Sequence, residues 1–173
     1  MVRELLLSAL VAAIAPLTGC SLILDFSPKA VPIDAAIDAV YSQDECDYKE
    51  PNDTLATAAI VVPGDTGPAA VCANSDGTED DDYYQFPVPT GTTSVTITVD
   101  FIERAGGDLD LRLFDVSNGS MLSESVGFGN EEKIVCPGSS PSCVSLAAGN
   151  YAFEVFPGEP GAVNDYTFSL ALQ

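Results

Sequence analysis

Apolar and polar residues alternate at a period of two through much of the chain beyond position 46. Val95, Ile97, Val99 and Phe101 fall on one side of an extended segment, with Thr96, Thr98 and Asp100 on the other. That is the pattern of a strand buried on one face. Leu109, Leu111 and Leu113 repeat it around Asp110 and Arg112. Ser117-Asn118-Gly119-Ser120 carries the Asn-Gly turn signal, which predicts a return strand from Met121 onward. Tyr151, Phe153 and Val155 alternate after Gly149-Asn150, and Tyr166, Phe168, Leu170 and Leu172 do so again. No long window after position 46 has helical periodicity. The spacing and the Gly, Pro, Asn and Asp turns predict an all-β domain over 46–173, a jelly-roll-like antiparallel β-sandwich. About 125 residues suffice for one core.

The N-terminus reads differently. Arg3 precedes an apolar run from Leu5 to Leu17 that is short of the roughly 20 residues a spanning helix needs. It fits a signal peptide. Leu17-Thr18-Gly19-Cys20 resembles the lipobox of bacterial lipoproteins, in which the cysteine thiol accepts diacylglycerol and becomes the mature N-terminus. The expected organisation is a signal peptide over 1–19, a lipidated tether over 20–45 and the folded domain after it. Several acyl chains make such anchoring stable. Ser21 in place of Asp favours the outer membrane. Pro28 and Pro32 interrupt the tether, which lets the domain stand off the bilayer.

Of the five cysteines, lipidation of Cys20 leaves Cys46, Cys72, Cys136 and Cys143. An even number in an exported chain predicts two disulfides. Three pairings are open, and 46–72 with 136–143 closes the shortest loops. Zinc is disfavoured, because the chain has no C-x-x-C and no His.

Charge narrows the function. With 6 Lys+Arg against 26 Asp+Glu the formal net charge is −20, which repels a phosphate backbone and argues against nucleic acid. The absence of His removes Ser-His-Asp and Cys-His catalysis. Asp65-Thr66-Gly67 spells an aspartic-protease triplet, but it occurs once and in a Pro/Gly loop, whereas those enzymes need two carboxylates sharing a proton. The chain is expected not to be an enzyme. Removing residues 1–19 takes away one Arg and one Glu, so the charge belongs to the exported part.

Glu50-Pro51-Asn52-Asp53-Thr54 resembles the opening of the bacterial pre-peptidase C-terminal (PPC) domain. Four later stretches come in that family's order: Asp80-Asp81-Asp82-Tyr83-Tyr84-Gln85-Phe86, Gly107-Asp108-Leu109-Asp110-Leu111, Gly149-Asn150-Tyr151 and Tyr166-Thr167-Phe168. The resemblance covers about 46–173. It implies a jelly-roll sandwich usually appended to exported enzymes and related to the calcium-binding, collagen-binding domains of clostridial collagenases. Carried over by position, Glu50, Asn52, Asp53 and Asp82 match family calcium ligands, with Glu79 or Asp80 as a fifth. Tyr48 stands where those relatives place a carboxylate, and Asp47 is the nearest substitute. The residues by themselves fit two readings: oxygen donors gathered for calcium, or capped turns and a solvated acidic loop. Asp80 and Asp82 share one face of an extended segment, with Asp81 opposite. Asp108 and Asp110 lack EF-hand spacing and read as structural.

The leading functional reading is a non-enzymatic, lipid-anchored envelope module, monomeric, that binds a protein or polysaccharide. Tyr83, Tyr84 and Tyr151 are candidate contacts, though core packing is the commoner role of such tyrosines. The alternatives are a structural envelope lipoprotein and an accessory partner of an exported peptidase.

Overall fold

A computed structural model describes residues 46, 48–72, 80–102, 105–138 and 143–173. The expected signal peptide over 1–19, Cys20, the expected tether over 20–45, Asp47 and Glu79 lie outside the described residues. Among the described residues nine strands follow in chain order: β1 (Ala59–Ile60), β2 (Pro68–Val71), β3 (Asp82–Val88), β4 (Val95–Phe101), β5 (Leu109–Asp115), β6 (Ser120–Ser125), β7 (Glu131–Cys136), β8 (Gly149–Pro157) and β9 (Asn164–Leu172). They form a five-stranded sheet, β1-β3-β8-β5-β6, and a four-stranded sheet, β2-β9-β4-β7. Pairing is antiparallel throughout, except that β1 runs parallel to β3. The result is a β-sandwich, as the alternation predicts.

The core lies between the inward faces of the two sheets. Leu109, Leu111 and Leu113 of β5 are fully buried, as are Ile97 and Val99 of β4. At its centre Tyr84 and Phe153 of the first sheet meet Phe168 of the second, with ring centroids 4.8–5.4 Å apart. Such tilted aromatic contacts add to area burial. β8, flanked by β3 and β5, is buried on both faces from Tyr151 to Pro157, so its second face is less polar-exposed than alternation suggests.

Only β5 and β6 form a local hairpin; every other consecutive pair passes from one sheet to the other. The hairpin turn is the one the Asn-Gly signal marks. Gly119 takes φ +70°, and its N–H donates to the Asp115 carbonyl at 2.8 Å. The bridges Cys46–Cys72 and Cys136–Cys143 are both formed, the short-loop pairing. Register places Asp82 opposite Val155, Leu109 opposite Pro157, Val71 opposite Asn164 and Phe101 opposite Tyr166. These residues therefore mark one end of the sandwich.

Leu111→Ala should cost about 2–5 kcal/mol, because a fully buried leucine leaves a cavity. Met121→Ala, half exposed on the edge strand β6, should cost well under about 1 kcal/mol. Guanidinium unfolding midpoints of the two variants test the core, and equal losses would contradict it.

Candidate cation site at one end of the sandwich

The segment before the first strand is fastened to the start of β3. The Tyr83 N–H donates to the Asn52 carbonyl at 2.9 Å, and the Asn52 N–H donates to Glu50 Oε2 at 2.8 Å. Asn52 is fully buried; its side-chain oxygen has no hydrogen-bond donor within range, while its amide lies beside Asp82 and favours the ionised form of that acid. A buried oxygen without a donor carries a desolvation cost of about 1–3 kcal/mol. Beside it, one carboxylate oxygen from each of Glu50, Asp53 and Asp80 lies within 4.8 Å of the others. A cation with oxygens at about 2.3–2.6 Å spans such a set.

Asp80 is nearly buried, and its Oδ2 accepts the Cys72 N–H at 2.6 Å. Burial pushes its pKa up to about 7; the Cys72 hydrogen bond opposes this, while Glu50 and Asp53 add repulsion. Asp82 is buried more deeply, and its Oδ2 accepts from the Tyr166 hydroxyl at 2.5 Å. Tyr166 in turn is hydrogen-bonded to the Tyr84 hydroxyl at 2.7 Å. Desolvation holds Asp82 well above the usual carboxylate range, Tyr166 opposes it, and Asp80 and Glu50 reinforce it. These are the conditions under which a nearby cation would favour the ionised forms.

Of the residues singled out for calcium, the structure gathers Glu50, Asn52, Asp53 and Asp80. Asp82 adjoins them electrostatically while its own oxygen is engaged by Tyr166. Glu79 and Asp47 fall outside the described residues. Tyr48 is no ligand: its ring packs 6.5 Å from Phe168 and so close to Gly67 that a Cβ there would lie 2.5 Å from it. The position given to a carboxylate in the relatives is here used for packing.

The three candidate contact tyrosines are also accounted for. Tyr84 and Tyr151 are in the core. Tyr83 lies on the outer face, where its hydroxyl donates to Glu154 Oε1 at 2.5 Å. Arg112 Nη1 meets Glu154 Oε2 at 3.3 Å, with its guanidinium stacked 3.7 Å from the Phe156 ring centroid.

Sequence reasoning marked Asp108 and Asp110 as structural and missed Glu132, which joins them at the same end. Asp108, Asp110 and Glu132 are each nine-tenths or more buried. The Gly127 N–H donates to Asp110, and Ser125 Oγ donates to Glu132 Oε2. Burial, then repulsion from Asp108 and Glu132, raises the Asp110 pKa to about 6. Gly158 leaves the space that the Asp108 carboxylate fills, a Cβ there coming within 2.6 Å of it. The strand pattern assigned Asp110 to a polar face and held no sign that the 126–130 loop folds over it.

The class defined by this architecture is a two-sheet, antiparallel-rich β-sandwich with a cluster of acidic side chains at one end. Residues 80–157 match the family described as the bacterial pre-peptidase C-terminal domain. That match begins at Asp80, so Glu50–Asp53 precede it. Among solved structures, the pre-peptidase C-terminal domain of a collagenase from Bacillus anthracis is similar in fold, with a TM-score of 0.50 at 16% identity. The alignment covers 66% of this chain and 94% of that one. No curated protein matches.

The raised pKa of Asp110 fixes the sign of a pH effect. Its folded value of about 6 lies above the ordinary value near 3.8. The stability it confers as a protonated acid is complete below pH ~4 and lost as pH rises through ~6. Asp110→Asn keeps an acceptor for Gly127 and removes the charge. It should stabilise the fold by on the order of 1 kcal/mol at pH 7.5 and have little effect at pH 4. Denaturant midpoints at the two pH values measure this.

Proposed function

We propose that the chain is a non-catalytic, calcium-stabilised β-sandwich module, held at the bacterial cell envelope by a lipid on Cys20 and taking a protein or polysaccharide ligand. The observation that carries calcium is the gathering of Glu50, Asp53 and Asp80 carboxylate oxygens within 4.8 Å of one another, with the fully buried Asn52, whose side-chain oxygen lacks a donor, in the same segment. Glu50, Asn52, Asp53 and Asp80 would hold the ion, with Asp82 as a further charge behind them. Calcium there would screen three mutually repelling carboxylates and supply a partner for the Asn52 oxygen. It would also tie the segment before β1 to the start of β3. Its role is structural.

The non-catalytic reading rests on the missing His and on how the buried acids are employed. Asp82, Glu132 and Glu154 are each held by a hydroxyl or a guanidinium. Likeness to a domain of a collagenase supports an accessory, binding role at or outside the envelope. The Leu17–Cys20 motif supports the anchor.

Thermal melts of the full-length protein in millimolar calcium and in EGTA test the ion. At about 100 Kd the gain is about 2.7 kcal/mol, on the order of 10 °C in midpoint. Asp53→Asn/Asp80→Asn should lose that shift, and an unchanged wild-type midpoint would sink the site. For the anchor, Cys20→Ser should move the protein from the membrane to the soluble fraction and abolish incorporation of labelled fatty acid. Capture from envelope extract then separates ligand classes: a glycan or matrix protein fits the module, and an exported peptidase fits an accessory partner.

A further inference from the structure

The connection between β6 and β7, residues 126–130, carries an apolar tip into solvent. Phe128 is 92% exposed and Val126 56%. Single exposed apolar residues are ordinary on a surface. Among the described residues, however, Phe128 is the one phenylalanine that is exposed, every other ring being buried or half-buried. The loop that presents it is held on both sides. The Gly127 N–H donates to the buried Asp110 carboxylate, and a Cβ on Gly127 would lie 3.4 Å from Glu132 Oε1. The Phe101 N–H donates to the Asn130 carbonyl at 3.0 Å, and the Lys133 N–H donates to Ser125 Oγ at 3.2 Å. Past these bonds the tip stands clear of the fold, for a Cβ on Gly129 would meet no atom within 4 Å. The base of the loop is thus fixed to β4 and β5 while the ring is left outside.

The tip shares its end of the sandwich with the point where the chain enters the fold. Cys46 is bonded to Cys72, which directly follows β2. Val71, the last residue of β2, is opposite Asn164 on β9. Phe101, which holds Asn130, is opposite Tyr166 two residues further along the same strand. An acyl chain on Cys20 would hold the domain through Cys46, so this is the end brought to the bilayer. A phenyl ring beside an aliphatic side chain suits the boundary between headgroups and acyl chains, where apolar area leaves water.

We propose that the 126–130 loop is a membrane-contacting tip, in which Phe128 and Val126 dip into the interface of the bilayer that holds the lipid anchor. The inference rests on the anchor put forward above and adds an orientation to it, with the acidic end of the sandwich towards the lipid. The loop has no need to capture a membrane by itself. The anchor supplies a high local concentration, and burial of one phenyl ring then favours the docked orientation about tenfold or more. The net charge of −20 repels anionic lipid, so the surface on which it docks is zwitterionic.

The chain contains no Trp, so Phe128→Trp reports on the tip alone. The lipidated full-length variant is reconstituted into phosphatidylcholine vesicles, with and without lipids brominated on their acyl chains. Val144→Trp is the comparison, at a position 69% exposed beside Cys143. Cys143 is bridged to Cys136, which pairs with Val95 at the far end of the sandwich. Phe128→Trp emission should shift to the blue and lose about half its intensity to brominated lipid; Val144→Trp should do neither. Adding Val126→Asp to Phe128→Trp should remove most of the quenching while the protein still floats with the vesicles. Equal quenching at both positions, no quenching at 128, or quenching indifferent to Val126→Asp would overturn the proposal. So would a blue shift that grows with protein concentration and resists brominated lipid, because a second copy would then cover the ring. Flotation is measured on the same samples. Protein that floats without quenching refutes the tip alone, and protein that fails to float refutes the anchor and the tip with it.

Discussion

The hydroxyl of Tyr166 is the joint on which this end of the molecule depends. It stands on β9, in the four-stranded sheet, and gives its proton to Asp82 at the first position of β3, in the five-stranded sheet. The Tyr166 hydroxyl is also hydrogen-bonded to that of Tyr84 at 2.7 Å. Three buried oxygens are thereby matched in a core that is otherwise hydrocarbon. An unmatched carboxylate at this depth would be costly. The two sheets are thus fixed to each other by direction as well as by packing, and the start of β3 is fixed with them. The entering segment is tied to the start of β3, Asn52 through the Tyr83 N–H and Glu50 through the Asn52 N–H, while Asp80 is held by the Cys72 N–H at the end of β2.

The same end buries two sets of carboxylates, and it resolves them in different ways. Asp110 and Glu132 receive neutral donors, an N–H from Gly127 and a hydroxyl from Ser125. Both groups remain raised in pKa, because neutral donors only partly offset burial and the charge of Asp108. Glu50 and Asp80 also receive neutral donors, the N–H groups of Asn52 and Cys72, but they stand with Asp53 as three carboxylates within 4.8 Å, and the buried Asn52 oxygen in the same segment lacks a donor. An oxygen without a donor is unhelpful to a carboxylate but is a ligand to a cation.

Much of the sandwich was legible in the sequence because most strands show one clean apolar face. Ile97, Leu111 and Phe168 are inward where alternation puts them. β7 escaped notice because its inward positions begin with Glu132, so the period of two starts on a charged residue. β2 reads Pro-Ala-Ala-Val and has three consecutive buried residues, with no alternation to detect. Sheet order was not legible either, since almost every connection crosses between layers and only the Asn118-Gly119 turn announces its partner strand. For the candidate site, the Glu50–Asp53 stretch and Asp80 stood out as acids, but the burial of Asn52 depends on a backbone bond from Tyr83 that no spacing reveals. Tyr48 shows the converse. It departs from the ligand pattern because the small Gly67 opens a place for its ring.

The acidic cluster adjoins the disulfide that ties Cys46 to the end of β2. Cys46 is bonded to Cys72, which directly follows β2, and the Cys72 N–H is held by Asp80. A pull on the chain ahead of Cys46 is delivered through the disulfide to the end of β2, and β2 is paired along its length with β9. The strand β9 carries Tyr166 and through it Asp82. The covalent bridge, the Asp80 hydrogen bond and the Tyr166 joint therefore lie in series between the incoming chain and both sheets. A cation held by Glu50, Asp53 and Asp80 would add a parallel link across that series, shortening the path from the entering segment to β3. The acids repel one another when the site is bare, so the entry point would be weakest without the ion and stiffest with it. That coupling follows from placing the carboxylates on both chain segments, 50–53 and 80–82, instead of on one.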